Sequence, residues 1–490
     1  MQLEQSLAAA LHRPVDGLKA LDRADAKASL KDFVRLGWPV VEPVSPLVWG
    51  WHLDVICEHL EAVSRGQIRR LIINVPPRHM KSLAVSVFWP AWEWGPRERP
   101  ALRWLFSSYA QSLSIRDSVK CRRLIQSAWY QERWGDAFVL TSDQNEKLRY
   151  DNDHTGVRLA TSVDGATTGE GGDILVVDDP HNVKKDVFSE KRMEAVRDWW
   201  DQSMSTRLND PQTGAVVIIM QRVHAKDLTG HILAQNLGYE HLCLPCRYEV
   251  EERSRTSLVV KDPRTEPREL IWPERFPEDE VVRIERSLGS YGTAAQLQQR
   301  PSPLGGGLIK LKWFQRYGEL PIPGLWVRVA QFWDTAQKSD ELLNAPWVCG
   351  TWVETKTGLY LVDVYRRWMD YPDGKRAVVS LAKKWHPSAV VIEDKSTGSS
   401  LLQEIPKIER LPLVPFKPEG DKITRLAVES PAVEAGLVWL PATAGWLPEF
   451  EAEIEAFPNS ATMDQADMLS MALKYFREGP GKVPPGLRRL

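Results

Sequence analysis

The stretch that most constrains this chain is Leu71-Ile72-Ile73-Asn74-Val75-Pro76-Pro77-Arg78-His79-Met80-Lys81-Ser82. Leu71 to Val75 is an apolar run of the kind that forms a buried strand. A tight Pro-Pro turn follows. Lys81-Ser82 then opens a helical pattern through Leu83, Val85, Val87 and Phe88. Strand, loop, Lys-Ser and helix is the layout of a P-loop, in which backbone N–H groups and a helix N-terminus hold phosphates, Lys neutralises charge and the Ser hydroxyl reaches Mg²⁺. Val75 and Met80 occupy the two places where the common pattern has glycine, a residue used there for positive φ and close backbone approach. Pro76 and Pro77 pre-set part of the loop instead. On this stretch alone, an ordinary strand–turn–helix stands as the alternative.

About a hundred residues on, a turn-dense loop from Asp164 to Asp173 leads into Ile174-Leu175-Val176-Val177-Asp178-Asp179-Pro180. Four apolar residues ending in two acids fit a Walker B strand. Asp178 would meet the Mg²⁺ shell at the carboxyl end of a parallel strand, and Asp179 would orient an attacking water. A strand entering an Asp-Pro turn gives the same letters, so the signal lies in the order and spacing of both motifs. Ala215 to Met220 is a further buried strand, ending in Gln221-Arg222. Gln221 is the candidate for sensing a γ-phosphate and coupling its loss to movement, with Arg222 as a charge partner; a polar strand cap is the plainer reading.

At 490 residues the chain has room for two or three domains. The formal net charge of −2 argues against a tight, purely electrostatic nucleic-acid binder but leaves room for local basic patches. One such run, Arg116, Lys120, Arg122 and Arg123, lies in the amphipathic segment Leu113 to Trp134, as a solvated face or a DNA or subunit contact. No apolar run is long enough to span a bilayer. Met1 to Leu11 lacks a signal peptide's order, and an odd count of five cysteines points to reduced thiols in a cytoplasm. Trp49 to Glu61 has helical spacing; Trp51-His52 either packs on the sheet edge or sits beside an adenine.

The sequence divides as follows. Residues 1–45 form a helical arm, residues 46–230 a P-loop ATPase core and residues 231–300 a lid or linker subdomain. Residues 301–324 form a hinge, marked by Gly305-Gly306-Gly307 just after two prolines. Residues 325–476 form a second α/β domain, and residues 477–490 a disordered basic tail. In the second domain, Leu325 to Asp334, Pro346 to Val353 and Leu359 to Tyr365 read as meandering strands. A helix (Lys375 to Trp385), a strand (Ala389 to Glu393), a helix near Ser399 to Ile405 and a last helix (Gln465 to Phe476) follow. That order fits an RNase H-like fold, whose first and fourth strands are parallel neighbours. Asp334 and Glu393 end those strands, and Asp464 and Asp467 lie a turn apart at the start of the last helix. Acids converging this way repel unless cations sit between them, which suits two Mg²⁺ or Mn²⁺ ions for in-line phosphodiester hydrolysis. Asp394 and Asp363 are weaker candidates, and Lys395 would steady a phosphate or balance the acids.

A P-loop NTPase (ASCE/RecA-like) parallel-sheet domain followed by an RNase H-like nuclease domain resembles the large terminase subunit of tailed bacteriophages, over roughly residues 45 to 475. Pro76-Pro77-Arg78-His79-Met80-Lys81-Ser82 looks like that family's variant Walker A, and Val177-Asp178-Asp179-Pro180-His181 like its Walker B. Gln299-Arg300-Pro301, Trp333-Asp334-Thr335-Ala336, Ile392-Glu393-Asp394 with Gly398, Asp421-Lys422 with Arg425, and Asp464-Gln465-Ala466-Asp467 look like its other blocks. Met80 replaces the glycine of the Walker A pattern. Met463 stands where many relatives have another Asp, which leaves Asp464 or Asp467 as the third acid.

The resemblance implies ATP as cofactor, held by Pro77, Arg78, His79, Met80, Lys81 and Ser82, with Ser82 and Asp178 on Mg²⁺. It implies Asp179 polarising water, Gln221 coupling and Arg78 as a cis arginine finger. It implies a nuclease with Asp334, Glu393, Asp464 and Asp467 on Mg²⁺ or Mn²⁺. The implied partners are double-stranded DNA, the portal of an empty procapsid, a small terminase subunit and further copies in a homo-oligomeric ring, in the cytoplasm of a bacterial host. A DNA-repair helicase–nuclease using the same two domains, and an inactive ATPase-fold scaffold, are the alternatives.

Overall fold

A computed structural model describes residues 17–163, 165, 169–183, 186–187, 189–250, 254–301, 308–335, 346–458, 460 and 462–479. The glycine run of the expected hinge, most of the Asp164–Thr168 turn, Ala336 and the tail beyond residue 479 lie outside the described residues. The chain separates into two compact units, one holding residues up to 285 together with 291–303, the other holding 286–290 and everything from 304. Among the described residues, no helix is long and apolar enough to cross a membrane.

The first unit is built on strands β1 (Arg70–Asn74), β2 (Arg103–Ser108), β3 (Leu140–Asn145), β4 (Arg149–Asn152), β5 (Val157–Ser162), β6 (Ile174–Asp178), β7 (Ala215–Met220) and β8 (Glu240–Cys243). Their order across the sheet is β3-β4-β5-β2-β6-β7-β1-β8. The strands from β5 to β8 run parallel, and β3 and β4 add an antiparallel edge, so the sheet is mixed where the sequence pattern promises a parallel one. The reason is legible in the residues: β3 reads Leu-Thr-Ser-Asp-Gln-Asn, with no apolar face to signal a strand. The central strands are apolar on both faces, as buried parallel strands must be. Leu71, Ile72, Ile73, Leu175, Val176, Val217 and Ile218 are fully buried.

The segment after Lys81-Ser82 is a π-helix, Leu83–Phe88, running into α-helix Trp89–Trp94. Leu113 to Trp134 is two helices, Gln111–Gln126 and Ala128–Trp134. The break falls at Ser127, whose hydroxyl accepts from Tyr130 N and starts the second helix.

The second unit has β9 (Gln315–Tyr317), β10 (Trp326–Asp334), β11 (Trp347–Thr355), β12 (Leu359–Arg367), β13 (Ala389–Glu393), β14 (Leu413–Phe416) and β15 (Val438–Pro441), in the order β14-β13-β10-β11-β12-β15-β9. The pairs β10–β11 and β11–β12 are antiparallel; β13 lies parallel beside β10. Residues 315–317, within the expected hinge, are strand β9 instead, paired with β15. Helix Asp464–Glu478 packs over this sheet, burying Ala466, Met468, Leu469, Met471, Ala472 and Leu473.

Candidate active sites

In the first unit, β1 delivers the chain to the phosphate-type loop. Asn74, fully buried, donates from Nδ2 to Met220 O at 3.1 Å and to Thr229 Oγ1 at 3.1 Å, which ties the end of β1 to that of β7. Beyond it, Arg78 and Met80 take φ values of +65° and +60°. The loop thus requires left-handed backbone at Met80, where the resemblance has glycine.

Lys81 is buried, with Nζ 2.8 Å from Asp179 Oδ2. Ser82 Oγ donates to Asp178 Oδ1 at 3.0 Å, and Ser86 Oγ donates to Asp178 Oδ2 at 2.9 Å. Burial pushes the Asp178 carboxyl up to about 7, with the Asp179 and Asp117 charges adding to it and Lys81 and Ser82 opposing. Asp179 itself sits at φ +45°, its Oδ1 accepting from Gln221 N at 3.1 Å. Gln221 Oε1 is buried without a hydrogen-bond partner. Behind the acids, fully buried Arg158 donates to Ser86 O at 2.8 Å, its guanidinium 4.1 Å from the Phe106 ring centre. Arg158 therefore holds the π-helix that aims Ser86 at Asp178.

These groups face a cavity of about 480 Å³, lined by Pro77, Arg78, Met80, Lys81 and Ser82 from the loop and by Asp178, Asp179 and Gln221 from the strand ends. Arg116, Lys120 and Arg275 also line it, together with the acids Asp117 and Glu42. Arg116 is clamped to Asp117 by bonds of 2.9 and 2.9 Å, and Lys120 pairs with Glu42. The orphaned Gln221 oxygen, the Arg78 and Arg275 guanidiniums and the serine–carboxylate pair together suit a polyphosphate with a divalent cation. Two sequence candidates lie elsewhere. His79 is buried against Phe276, stacked at 5.0 Å, and His52 packs on His79 and Trp272 at 5.5 and 4.8 Å. Neither ring lines the cavity. Arg222 pairs with buried Asp227 at 3.0 Å and donates from its backbone N to Gln299 Oε1 at 2.9 Å, making it a structural anchor.

In the second unit, the parallel register Trp333↔Ile392 sets Asp334 beside Glu393 at the ends of β10 and β13. The last helix begins at Asp464 and carries Asp467 in its first turn. Carboxylate oxygens of Asp334, Glu393 and Asp467, all buried, lie within 4.8 Å of one another. Burial drives the Asp334 carboxyl well above the usual range; Lys422 opposes, while Asp467, Asp464 and Glu393 add to the rise.

Lys422 Nζ lies 3.0 Å from Asp464 Oδ1 and 3.4 Å from both Asp334 Oδ2 and Asp467 Oδ2. Arg425 grips Asp467 with Nε at 3.0 Å from Oδ1 and Nη2 at 2.5 Å from Oδ2. Lys395 Nζ is 3.1 Å from Glu393. The weaker candidates are engaged elsewhere: Asp363 accepts from Lys384 and Trp385, and Asp394 from Ser399 Oγ at 2.7 Å. Gly398 lets the next helix close on the strand end, since a Cβ there would fall 1.9 Å from Glu393 O.

Three buried carboxylates converging within 4.8 Å suit hard divalent cations.

Residues 331–476 match the family model described as Terminase RNaseH-like domain.

That segment runs from β10 to the last helix and holds Asp334, Glu393, Lys422, Arg425, Asp464 and Asp467. Among solved structures, the large terminase from a thermophilic bacteriophage, in complex with ADP, is similar at 9% identity and TM-score 0.49, covering 91% of this chain and 99% of that one. The large terminase of bacteriophage HK97 is similar at 10% identity and TM-score 0.35, covering 90% and 98%. The large terminase nuclease from thermophilic phage G20c with bound cobalt is similar at 13% identity and TM-score 0.26, covering 35% and 98%. None of the curated proteins matches the sequence.

Sequence reasoning missed Ser86, Arg116, Asp117 and Arg158 as neighbours of the acids in the first unit. It quoted Lys422 and Arg425 as part of a block without a contact to assign them. Ser86 falls four residues after Ser82, which places both on one helical face and was the available signal.

Proposed function

We propose that this chain is a DNA-packaging enzyme of the large terminase type, an ATP-driven translocase of duplex DNA joined to a metal-dependent endonuclease. The observation that carries this reading is the buried Asp334–Glu393–Asp467 cluster, at the ends of adjacent parallel strands within the segment that matches a terminase nuclease domain. For the first unit, support comes from the strand order. β7 stands between β1 and β6, so Gln221 emerges between the Lys81 loop and the Asp178–Asp179 pair. That is the arrangement expected of an ASCE-type ATPase.

In this reading Lys81 and the loop N–H groups bind the β,γ-phosphates, and Ser82 and Asp178 hold Mg²⁺, which would supply charge neutralisation at the phosphates. Asp179 releases Lys81 and accepts a hydrogen bond from the attacking water. Gln221, bonded to Asp179 through its backbone, registers the change. Arg78 stabilises the transferring phosphoryl charge. In the second unit Asp334, Glu393 and Asp467 would hold Mg²⁺ or Mn²⁺ to activate water and steady the leaving oxygen. Asp464 and Lys395 flank them. The partners of the working enzyme are duplex DNA, a portal, a small terminase subunit and further copies in a ring.

The test is DNA-stimulated ATPase together with plasmid cleavage in Mg²⁺ or Mn²⁺. Asp334→Ala is expected to abolish cutting and leave ATP turnover intact. Loss of both activities in a folded Asp334→Ala protein would contradict two separable sites, and no ATPase in the intact chain would favour a scaffold.

A further inference from the structure

We propose that Lys422 is a tethered counter-ion of the carboxylate cluster, competing with the divalent cation and leaving when the cation binds. The inference rests on the metal reading of Asp334, Glu393 and Asp467 and adds a residue to it.

Lys422 opens helix Lys422–Glu434, whose start is fixed by Asp421 Oδ1 accepting from Thr424 N at 2.7 Å. Its ammonium reaches Asp334, Asp464 and Asp467 at 3.4, 3.0 and 3.4 Å, and so gathers carboxylates from a strand end and a separate helix. One cation on three convergent acids occupies the electrostatic place of a metal ion. Mg²⁺ needs those oxygens at about 2.1 Å. An ammonium and a dication held by the same Asp334 and Asp467 carboxylates would repel at close range, in a buried setting where screening is weak.

The two basic residues of this helix differ in what they can do. Arg425 has 8% of its side chain exposed and is fixed by Asp467 and by Gly420 O at 2.9 Å. Lys422 has 36% exposed and a flexible four-carbon stem. Arg425 therefore stays and orients Asp467, while Lys422 can swing outward. Metal uptake becomes an exchange in which the cation enters, the ammonium leaves to water and the acids remain assembled throughout.

The experiment measures Mn²⁺ binding by calorimetry on the full chain and on Lys422→Met and Lys422→Arg. Lys422→Met is expected to bind Mn²⁺ about tenfold more tightly, the scale on which residues beside metal ligands move affinity. Lys422→Arg, which keeps the charge, is expected to gain nothing. Equal or weaker binding by Lys422→Met, with normal binding by the natural chain, overturns this inference alone. Failure of the natural chain to bind Mn²⁺ overturns the metal reading and the inference with it. A second measurement needs no variant: amine-reactive labelling of the natural chain, read at Lys422 by mass spectrometry, should rise when Mn²⁺ is added. Unchanged labelling at saturating Mn²⁺ overturns the exchange.

Discussion

Replacing Asp178 by Asn should make the nucleotide-free first unit more stable at alkaline pH than the natural protein, even though it removes a residue assigned to Mg²⁺. Asp178 is held near 7 by burial, by Asp179 and by Asp117, against about 3.9 for an aspartate in an unfolded chain. Because the folded value is the higher one, the folded protein keeps a proton through the window from about 4 to 7 that the unfolded chain has lost. Stability therefore falls as pH rises through that window, and the penalty is complete above it. Between pH 5 and pH 8 the carboxyl crosses about two units of it, worth about 3 kcal/mol.

An amide at this position does not titrate. It can accept from Ser82 Oγ and donate to Ser86 Oγ, so the exchange of hydrogen bonds carries a roughly pH-independent cost of about 1 kcal/mol. The stability difference between Asp178→Asn and the natural chain should thus swing by about 3 kcal/mol in the variant's favour from pH 5 to pH 8. Urea denaturation in chelator, following the transition that ATP shifts in the natural chain, measures it. A difference that stays flat over that range would refute the raised, buried carboxyl on which the reasoning depends.

Two further outcomes follow from the same geometry. Arg78→Ala removes an exposed guanidinium from the cavity rim and should lower ATP turnover by about 10³ if it acts as an arginine finger; wild-type turnover would assign it elsewhere. Gly398→Ala would put a Cβ 1.9 Å from Glu393 O, so the strand end must shift. Mn²⁺ affinity should fall and the second unit should lose about 1–3 kcal/mol on unfolding; an unaltered Mn²⁺ isotherm would show that the Glu393 position tolerates the shift.

What the sequence revealed was governed by apolar runs. β1, β6, β7 and β13 were readable because both faces are buried. β3 and β4 were not, being polar or short. β15 is four residues long and β9 three, too brief for periodicity to show. Asp178, Asp179, Asp334 and Glu393 were readable for the same reason: an abrupt change from apolar to acidic marks the end of a buried strand.

Lys422 could not be read as a neighbour of Asp334, because that contact spans 88 residues of chain; for Ser86 the one signal was its spacing from Ser82. Met80 shows a different limit. Its letter argued against a phosphate loop, yet the backbone takes φ +60° there with a methionine in place. Left-handed backbone costs an L-residue about 1–2 kcal/mol, which a packed loop can sustain. The basic run from Arg116 to Arg123 shows contacts that its letters do not reveal. Arg116 and Lys120 pair with Asp117 and Glu42, and Arg122 donates to the Asn145 carbonyl, so two of its charges are balanced inside the first unit.

Both sites solve one electrostatic problem in related ways. Acids gathered at strand ends and a helix start repel unless they are neutralised, and each site pairs them with a lysine. Lys81 pairs with Asp179 at 2.8 Å, and Lys422 bridges Asp334, Asp464 and Asp467. The difference lies in where each lysine can go. Lys81 has 6% of its side chain exposed and faces the cavity, so on the proposed function leaving Asp179 would carry it toward the nucleotide phosphates. Lys422 has 36% exposed, and leaving its acids carries it toward solvent. On the proposed function, substrate charge would draw Lys81 inward and complete the first site, whereas at the second the incoming cation would displace the lysine. A substitution at Lys81 should therefore weaken nucleotide binding, while one at Lys422 should strengthen metal binding. The same residue type at two acid clusters has opposite consequences because one ligand is an anion and the other a cation.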